Sequence, residues 1–336
     1  MSTIKRLTNV VTTGRAAALG FCLTLLALIC LAAAPAQAQQ NRTWVASFGS
    51  DLNPACARTS PCQTFTGALA KTNAGGEINC LDSGSYGILT INKSISILCE
   101  GVVGGILAPA AIGVTVNASA TDVVVLRGLD INGVGTGFVG IQQLAAGSAA
   151  LHIEDCRIHG FNGFAGTGID YSPPGAASSE LYVTNTTIAH NGAAGGGGIR
   201  ILSSSGSPSK VTINHSNVQN NTTGIKADGA SGGVINMTIR DTASVGNTQN
   251  GIVGTTPAGG AAIVIMLDHV AASHNAAGYG VIADGPATFI TVGGSSIAGN
   301  AFGVGTSNGG TLLSLKTNQI RGNGSDGTPI AAVGLE

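Results

Sequence analysis

The chain is poor in charge and in aromatic rings. Of its 336 residues only 9% are Asp, Glu, Lys or Arg, only 4% are Phe, Trp or Tyr, and there is a single tryptophan, Trp44. A protein built from long amphipathic helices or a mixed α/β sheet carries more charge than this. No stripe of Lys and Arg runs through it, and a nucleic-acid partner requires clustered cations to displace phosphate counterions. No Cys/His spacing suits zinc. The run Gly195-Gly196-Gly197-Gly198 is not followed by the Lys-Ser/Thr of a phosphate loop and reads as a turn. Beyond residue 38 no stretch is apolar enough to span a bilayer.

The apolar run that does exist is N-terminal. Lys5, Arg6 and Arg15 precede Ala16–Ala34, and Ala36-Gln37-Ala38 follows as an A-x-A site. This is the layout of a secretory signal peptide over residues 1–38, with a mature chain starting at Gln39. A retained membrane anchor is the alternative, against which the small-residue segment after Pro35 argues. Removing the three cations leaves 12 Lys and Arg against 16 acidic residues, a net charge near −4. The expected location is outside the cytoplasm: secreted, periplasmic or on the cell surface. No nucleic acid and, after cleavage, no membrane is expected as partner.

Gly is abundant at 52 residues, and the rest is rich in Ala, Ser, Thr, Asn, Val and Ile. Such a composition suits short β-branched strands joined by tight turns. A repeat organises it. Leu151-His-Ile-Glu-Asp-Cys-Arg-Ile158, Leu181-Tyr-Val-Thr-Asn-Thr-Thr-Ile188 and Val211-Thr-Ile-Asn-His-Ser-Asn-Val218 share aliphatic residues at the first, third and eighth positions and a small residue at the sixth. The frame recurs from Val124, Met237, Ile265, Ile290 and Leu313, at spacings of 23 to 30 residues. Ten residues after the frame start comes Asn191, Asn221, Asn247, Asn275, Asn300 or Asn323, and a few residues later a Gly followed by Ile or Val. Asn tolerates left-handed backbone and its amide can bond its counterpart in the next coil. The Gly supplies a bend. Each frame is long enough for three short strands and three turns, but too short for a propeller blade.

With its Asn turn and Gly-Ile strand start, the repeat resembles the right-handed β-helix family often called pectin-lyase-like, over about residues 75–335. The resemblance implies an all-β chain: a single-stranded right-handed parallel β-helix, a three-sheet solenoid over residues 77–336. Residues 39–76 are then an N-terminal cap segment with a short capping helix within Pro61–Lys71, Phe65, Ala68 and Leu69 on its inner face. In each frame the aliphatic positions, such as Ile153, Ile213, Leu267, Leu315 and Ile320, are expected to face the core. Five cysteines remain after cleavage, predicting Cys56–Cys62 and Cys80–Cys99 disulfides with Cys156 buried and reduced.

Members of this family that are enzymes act on acidic polysaccharides through carboxylates, calcium and basic residues on an outer face. In the outward columns of the repeat the catalytic candidates are Asp155, Arg240, Asp241, Asp268 and His269, and the binding candidates Glu154, Asp170, Arg200, His215 and Lys226. The alternative is a solvated strand face. Counting coils puts Asp155 three coils from Asp241, and puts Asp241 and Asp268 on adjacent coils out of register, directed to different faces. The Trp-Ile-Asp-His segment of pectate lyases and the Asn-Thr-Asp and Arg-Ile-Lys motifs of polygalacturonases are absent. The sequence therefore favours a non-catalytic glycan-binding or structural surface protein, with a polysaccharide or surface glycan as partner. A polysaccharide lyase or glycoside hydrolase with a divergent site on the Glu154–His269 face is the alternative. No metal site or cofactor is indicated, calcium included, and the oligomeric state is open.

Overall fold

The computed structural model describes residues 40–144, 149–173, 175, 178–193, 195–328 and 330–334. The proposed signal segment, residues 1–38, lies outside them. From Gln40 onward the chain winds through three sheets in turn, and every strand pair is parallel. The first sheet has twelve strands, from Gln40–Val45 to Ala331–Ala332; the second has ten, the third nine. Strands of the first sheet are up to nine residues long, and those of the second are two to four.

Alternation explains which side is buried. In Ser209–Asn214 the burial pattern runs buried, exposed, buried, intermediate, buried, intermediate, with Val211 and Ile213 inward. Register stacks like on like: Leu151, Leu181, Val211, Met237 and Ile265 pair in succession, as do Ile153, Val183, Ile213, Ile239 and Leu267. Ile153, Ile158, Val183, Ile188, Ile213, Val218, Ile239, Leu267 and Ile297 are all fully buried. The last frame is displaced by one. Ile290 pairs with Leu312, not Leu313, and an additional residue in the following turn, where Lys316 is left-handed (φ 65°), leaves Leu315 only partly buried. Ile320 recovers the register opposite Ile297 but is partly exposed at the end of the solenoid.

The Gly that precedes the inward Ile or Val in the third sheet, within the strand or just ahead of it, has a different purpose from the bend that the sequence suggests. Gly140, Gly168, Gly198, Gly224, Gly251 and Gly280 all have ordinary φ. A Cβ on Gly168 would sit 2.7 Å from the carbonyl oxygen of Gly198, and one on Gly224 only 2.3 Å from that of Gly251. Close stacking of backbone on backbone excludes any side chain here. The Ile or Val that follows is buried in each case, from Ile141 to Val304.

At the N-terminal end the helix α1 (Phe65–Lys71) is capped by Thr64, whose hydroxyl accepts from the Gly67 amide at 2.9 Å. Phe65, Ala68 and Leu69 are buried against the first coils. The strand Gln40–Val45, within the expected cap segment, adds to the first sheet beside Thr72–Cys80. Disulfides join Cys56 to Cys62 and Cys80 to Cys99, each with Cα atoms 4.8 Å apart, and Cys156 is free and buried.

Candidate functional site

From Asp155 to Ser295 the turn from the first sheet to the second is two residues long in each coil and has a fixed grammar. Its first residue is left-handed and exposed: Asp155, Asn185, His215, Asp241 and His269 have φ between 47° and 53°. Its second is buried: Cys156, Thr186, Ser216, Thr242, Val270 and Ser295. Asp, Asn and His are the non-glycine types that tolerate this backbone best. The fifth frame position is therefore a turn column, not an outward strand column. The choice of Asp and His there answers first to conformation.

A groove follows this corner along the solenoid axis. One stretch, about 700 Å³, is lined by Glu100, Arg127, Asp130, Asp155, Arg157 and Asn185 among others. A second, about 490 Å³, continues from Asn185 past His215, Asp241 and His269. Charges along the groove are paired. The Arg127 Nη1 group donates to Glu100 at 2.9 Å and its Nε to Glu154 at 2.8 Å. His159 Nε2 meets Asp130 at 2.8 Å, and Asn185 donates to Asp155 at 2.6 Å. Bonds from Glu100 and then Glu154 raise the Arg127 pKa still further, so its charge is fixed.

Of the ten candidates from sequence, seven gather on this corner: Glu154, Asp155, His215, Arg240, Asp241, Asp268 and His269. Asp241 and Asp268 were expected to diverge. Instead both reach one guanidinium: Arg240 Nε lies 3.2 Å from Asp241 and 3.4 Å from Asp268. Register explains this, since Arg240 pairs with Asp268 across the sheet while Asp241 follows it into the turn. His269 Nδ1 is 2.7 Å from Asp268, and His215 Nε2 is 3.8 Å from Asp241.

The other three candidates, Asp170, Arg200 and Lys226, pair in a row on the third sheet, on a different side of the coil. There Arg200 grips Asp170 with Nε at 3.1 Å and Nη2 at 2.9 Å, and Lys226 turns to Asp228 at 2.9 Å. This bidentate pair is nearly buried on the acid side, with Asp170 only 6% exposed. Sequence reasoning placed no role on Arg127, Glu100 or Asp130. Arg127 and Glu154 share the fourth frame position in consecutive coils, and that was the available signal.

Among the described residues no group of three or more His, Cys, Asp or Glu side chains is arranged to hold a metal ion. No helix among them is long and apolar enough to cross a membrane.

No protein-family model and no curated protein matches the chain. A solved structure does: that of the pectate lyase Pel9A, superposed with a TM-score of 0.57 over 82% of this chain and 75% of the lyase. The fold is a right-handed parallel β-helix. At 15% identity the likeness carries the architecture, a right-handed parallel solenoid, and no residue of its chemistry. In this β-helix the corner groove runs parallel to the stack, so each coil along it offers one turn residue.

Proposed function

We propose that the chain is exported and binds an extended glycan in the groove along the first-to-second-sheet corner, without cleaving it. The observation that carries this reading is the axial repeat of polar side chains, Asp155, Asn185, His215, Asp241 and His269, one per coil. Coils stack about 4.8 Å apart, close to the length of one sugar ring in an extended chain. A polymer lying in the groove meets a hydrogen-bonding group at each ring. Two disulfides suit an oxidising compartment, consistent with residues 1–38 acting as a signal peptide. The carboxylates are already matched by Arg127, Arg240, His159 and Asn185, which makes them fixed acceptors for hydroxyl groups rather than free bases.

One observation favours a carbohydrate-active enzyme instead. Arg240 holds Asp241 and Asp268 together with His269 beside them, an arrangement able to position an acid and a base. One experiment decides between the two. Protein beginning at Gln39 is passed over a panel of immobilised polysaccharides and incubated with each in solution. Retention without shortened or unsaturated products is expected. Products that disappear in the Asp241→Ala variant would establish the enzyme reading, and neither retention nor products would refute both.

A further inference from the structure

Asparagine is among the thermolabile residues, and most so before glycine, whose missing Cβ leaves its backbone nitrogen open to meet the asparagine side-chain amide. The chain carries this dipeptide at Asn132, Asn162, Asn191, Asn250, Asn308 and Asn323. In five of the six the glycine nitrogen is engaged. The N–H of Gly133 donates to the His159 carbonyl at 2.8 Å, that of Gly163 to Gly137 at 2.9 Å and that of Gly192 to Phe161 at 2.9 Å. That of Gly251 donates to Tyr279 at 2.8 Å, and that of Gly324 to Asn300 at 2.9 Å. Every one of these bonds runs to a neighbouring coil, so the stacking of the solenoid itself guards the nitrogen.

Asn308-Gly309 is different. It lies in the turn that joins the strand Phe302–Ser307 of the third sheet to Thr311–Ser314 of the first. Both residues are left-handed, with φ 49° and 86°, the pair of values that Asn-Gly suits. The Gly310 amide donates to the Ser307 carbonyl at 2.9 Å and closes the turn from its first residue to its fourth, which leaves the N–H of the third outside. Among the described residues nothing accepts from the Gly309 amide, and both Asn308 and Gly309 are exposed. The Asn308 side chain ties the turn to the coil before: its amide donates to Asp284 Oδ1 at 2.7 Å. Asp284 also accepts from Ser307 at 2.5 Å and Thr255 at 3.1 Å. These bonds, that of Ser307 foremost, hold the Asp284 carboxyl below the usual range, so it is charged at neutral pH.

We propose that Asn308 is a self-modifying site, where attack by the Gly309 nitrogen removes the side-chain amide and thereby loosens the last coil. The Gly309 nitrogen gives its proton to solvent base and bonds to Asn308 Cγ. The Cγ–Nδ2 bond breaks, and ammonia leaves with a proton taken from water. Water then opens the five-membered imide at either carbonyl carbon, giving aspartate at 308 or an isoaspartyl link through its side chain. Both products exchange a donor to Asp284 for a carboxylate facing it, and two like charges in contact repel. The tie between the turn and the preceding coil is lost.

Peptide mapping of native protein held in mildly alkaline buffer and sampled over days tests the site. Asn308 is expected to convert roughly tenfold or more faster than any other of the six, since each of those must first break a bond or open its coil. In urea all six should convert at comparable rates. A native protein in which another Asn-Gly converts first, or in which Asn308 is no faster than the rest, overturns the proposal. Hydrogen exchange tests the consequence. Asn308→Asp, which tolerates the left-handed backbone, should speed exchange at Thr311–Ser314 and leave Ile263–Asp268 unchanged. Exchange equal to that of the unmodified protein would refute the loosening. Asn308→Gly removes the donor without adding charge and should show a smaller increase. An equal one would refute the part assigned to charge.

Discussion

The two corners that flank the second sheet solve one problem in two ways. At each, the chain turns through a left-handed residue and then buries the next one, which is polar in most coils. At the first-to-second-sheet corner the buried residue is small. Its hydroxyl accepts the backbone N–H of the coil before: Thr186 from Cys156 at 3.3 Å, Ser216 from Thr186 at 3.2 Å, Thr242 from Ser216 at 3.3 Å. At the second-to-third-sheet corner it is Asn. Each amide oxygen there accepts two bonds, from the backbone and the side chain of the preceding Asn: Asn247 from Asn221 at 3.0 and 3.3 Å, Asn275 from Asn247 at 3.1 and 2.9 Å. A hydroxyl satisfies a local demand, while an amide extends it into a ladder. The first arrangement tolerates Cys156 and Val270 in its column, and the second is unbroken from Asn191 to Asn323.

This difference sets an order of effects. Asn247→Ala removes an acceptor and a donor from a fully buried position and orphans groups on both neighbouring coils. It is expected to lower stability by about 3 kcal/mol, read from the urea midpoint. Ser216→Ala deletes one bond accepted from the coil before at 3.2 Å and one donated to the Asn214 carbonyl of its own coil at 2.9 Å, and should cost about 1 kcal/mol. Equal losses from the two would collapse the distinction between a ladder and a row of local contacts. Asp241→Gly substitutes an exposed left-handed residue with the type that prefers that backbone, so its expected effect is within about 0.5 kcal/mol. A larger loss would mean that the Arg240 contact matters more to the fold than exposure suggests.

The thiol column gives a chemical counterpart. Burial pushes the Cys156 thiol up to about 12, so almost no thiolate exists at neutral pH. Native protein at pH 8 should not react with a thiol-specific disulfide reagent, and one equivalent should react once urea unfolds it. Cys156→Thr, matching Thr186 and Thr242 in the same column, is expected to cost under about 1 kcal/mol. Rapid labelling of native protein would show that this corner opens and that its hydroxyl bonds do not hold it shut.

The solenoid was legible in the sequence because every coil repeats the same constraint. Asn191 through Asn323 recur where a buried N–H needs an acceptor, and Ile or Val recurs where a strand faces the core. The left-handed residue is the one before each Asn, such as His190 (φ 56°) or Asn220 (φ 55°), rather than the Asn itself, and spacing alone does not distinguish neighbours in a turn. Leu313 misled because one additional residue near Lys316 shifts the last frame. The groove was legible only as a set of residues. Asp and His in the fifth frame position record a backbone requirement, which masks any chemical one. That Arg240 would draw Asp241 and Asp268 together depends on how the strand enters its turn, which coil counting does not contain.

The Asn ladder also has a direction. Each side-chain N–H points to the amide oxygen of the following coil, so the small dipoles of successive amides add along the solenoid instead of cancelling. The row ends where no further Asn exists. There Asp326 takes the missing place, accepting the backbone and side-chain N–H of Asn323 at 3.1 and 2.9 Å. These bonds, that of the Asn323 side chain foremost, hold the Asp326 carboxyl below the usual range. An anion at the positive end of aligned dipoles is the arrangement that caps the start of an α-helix, here achieved by side chains in a protein that is almost entirely sheet. The solenoid is thus electrically polar along its axis, and its C-terminal end is marked by a charge that acid removes.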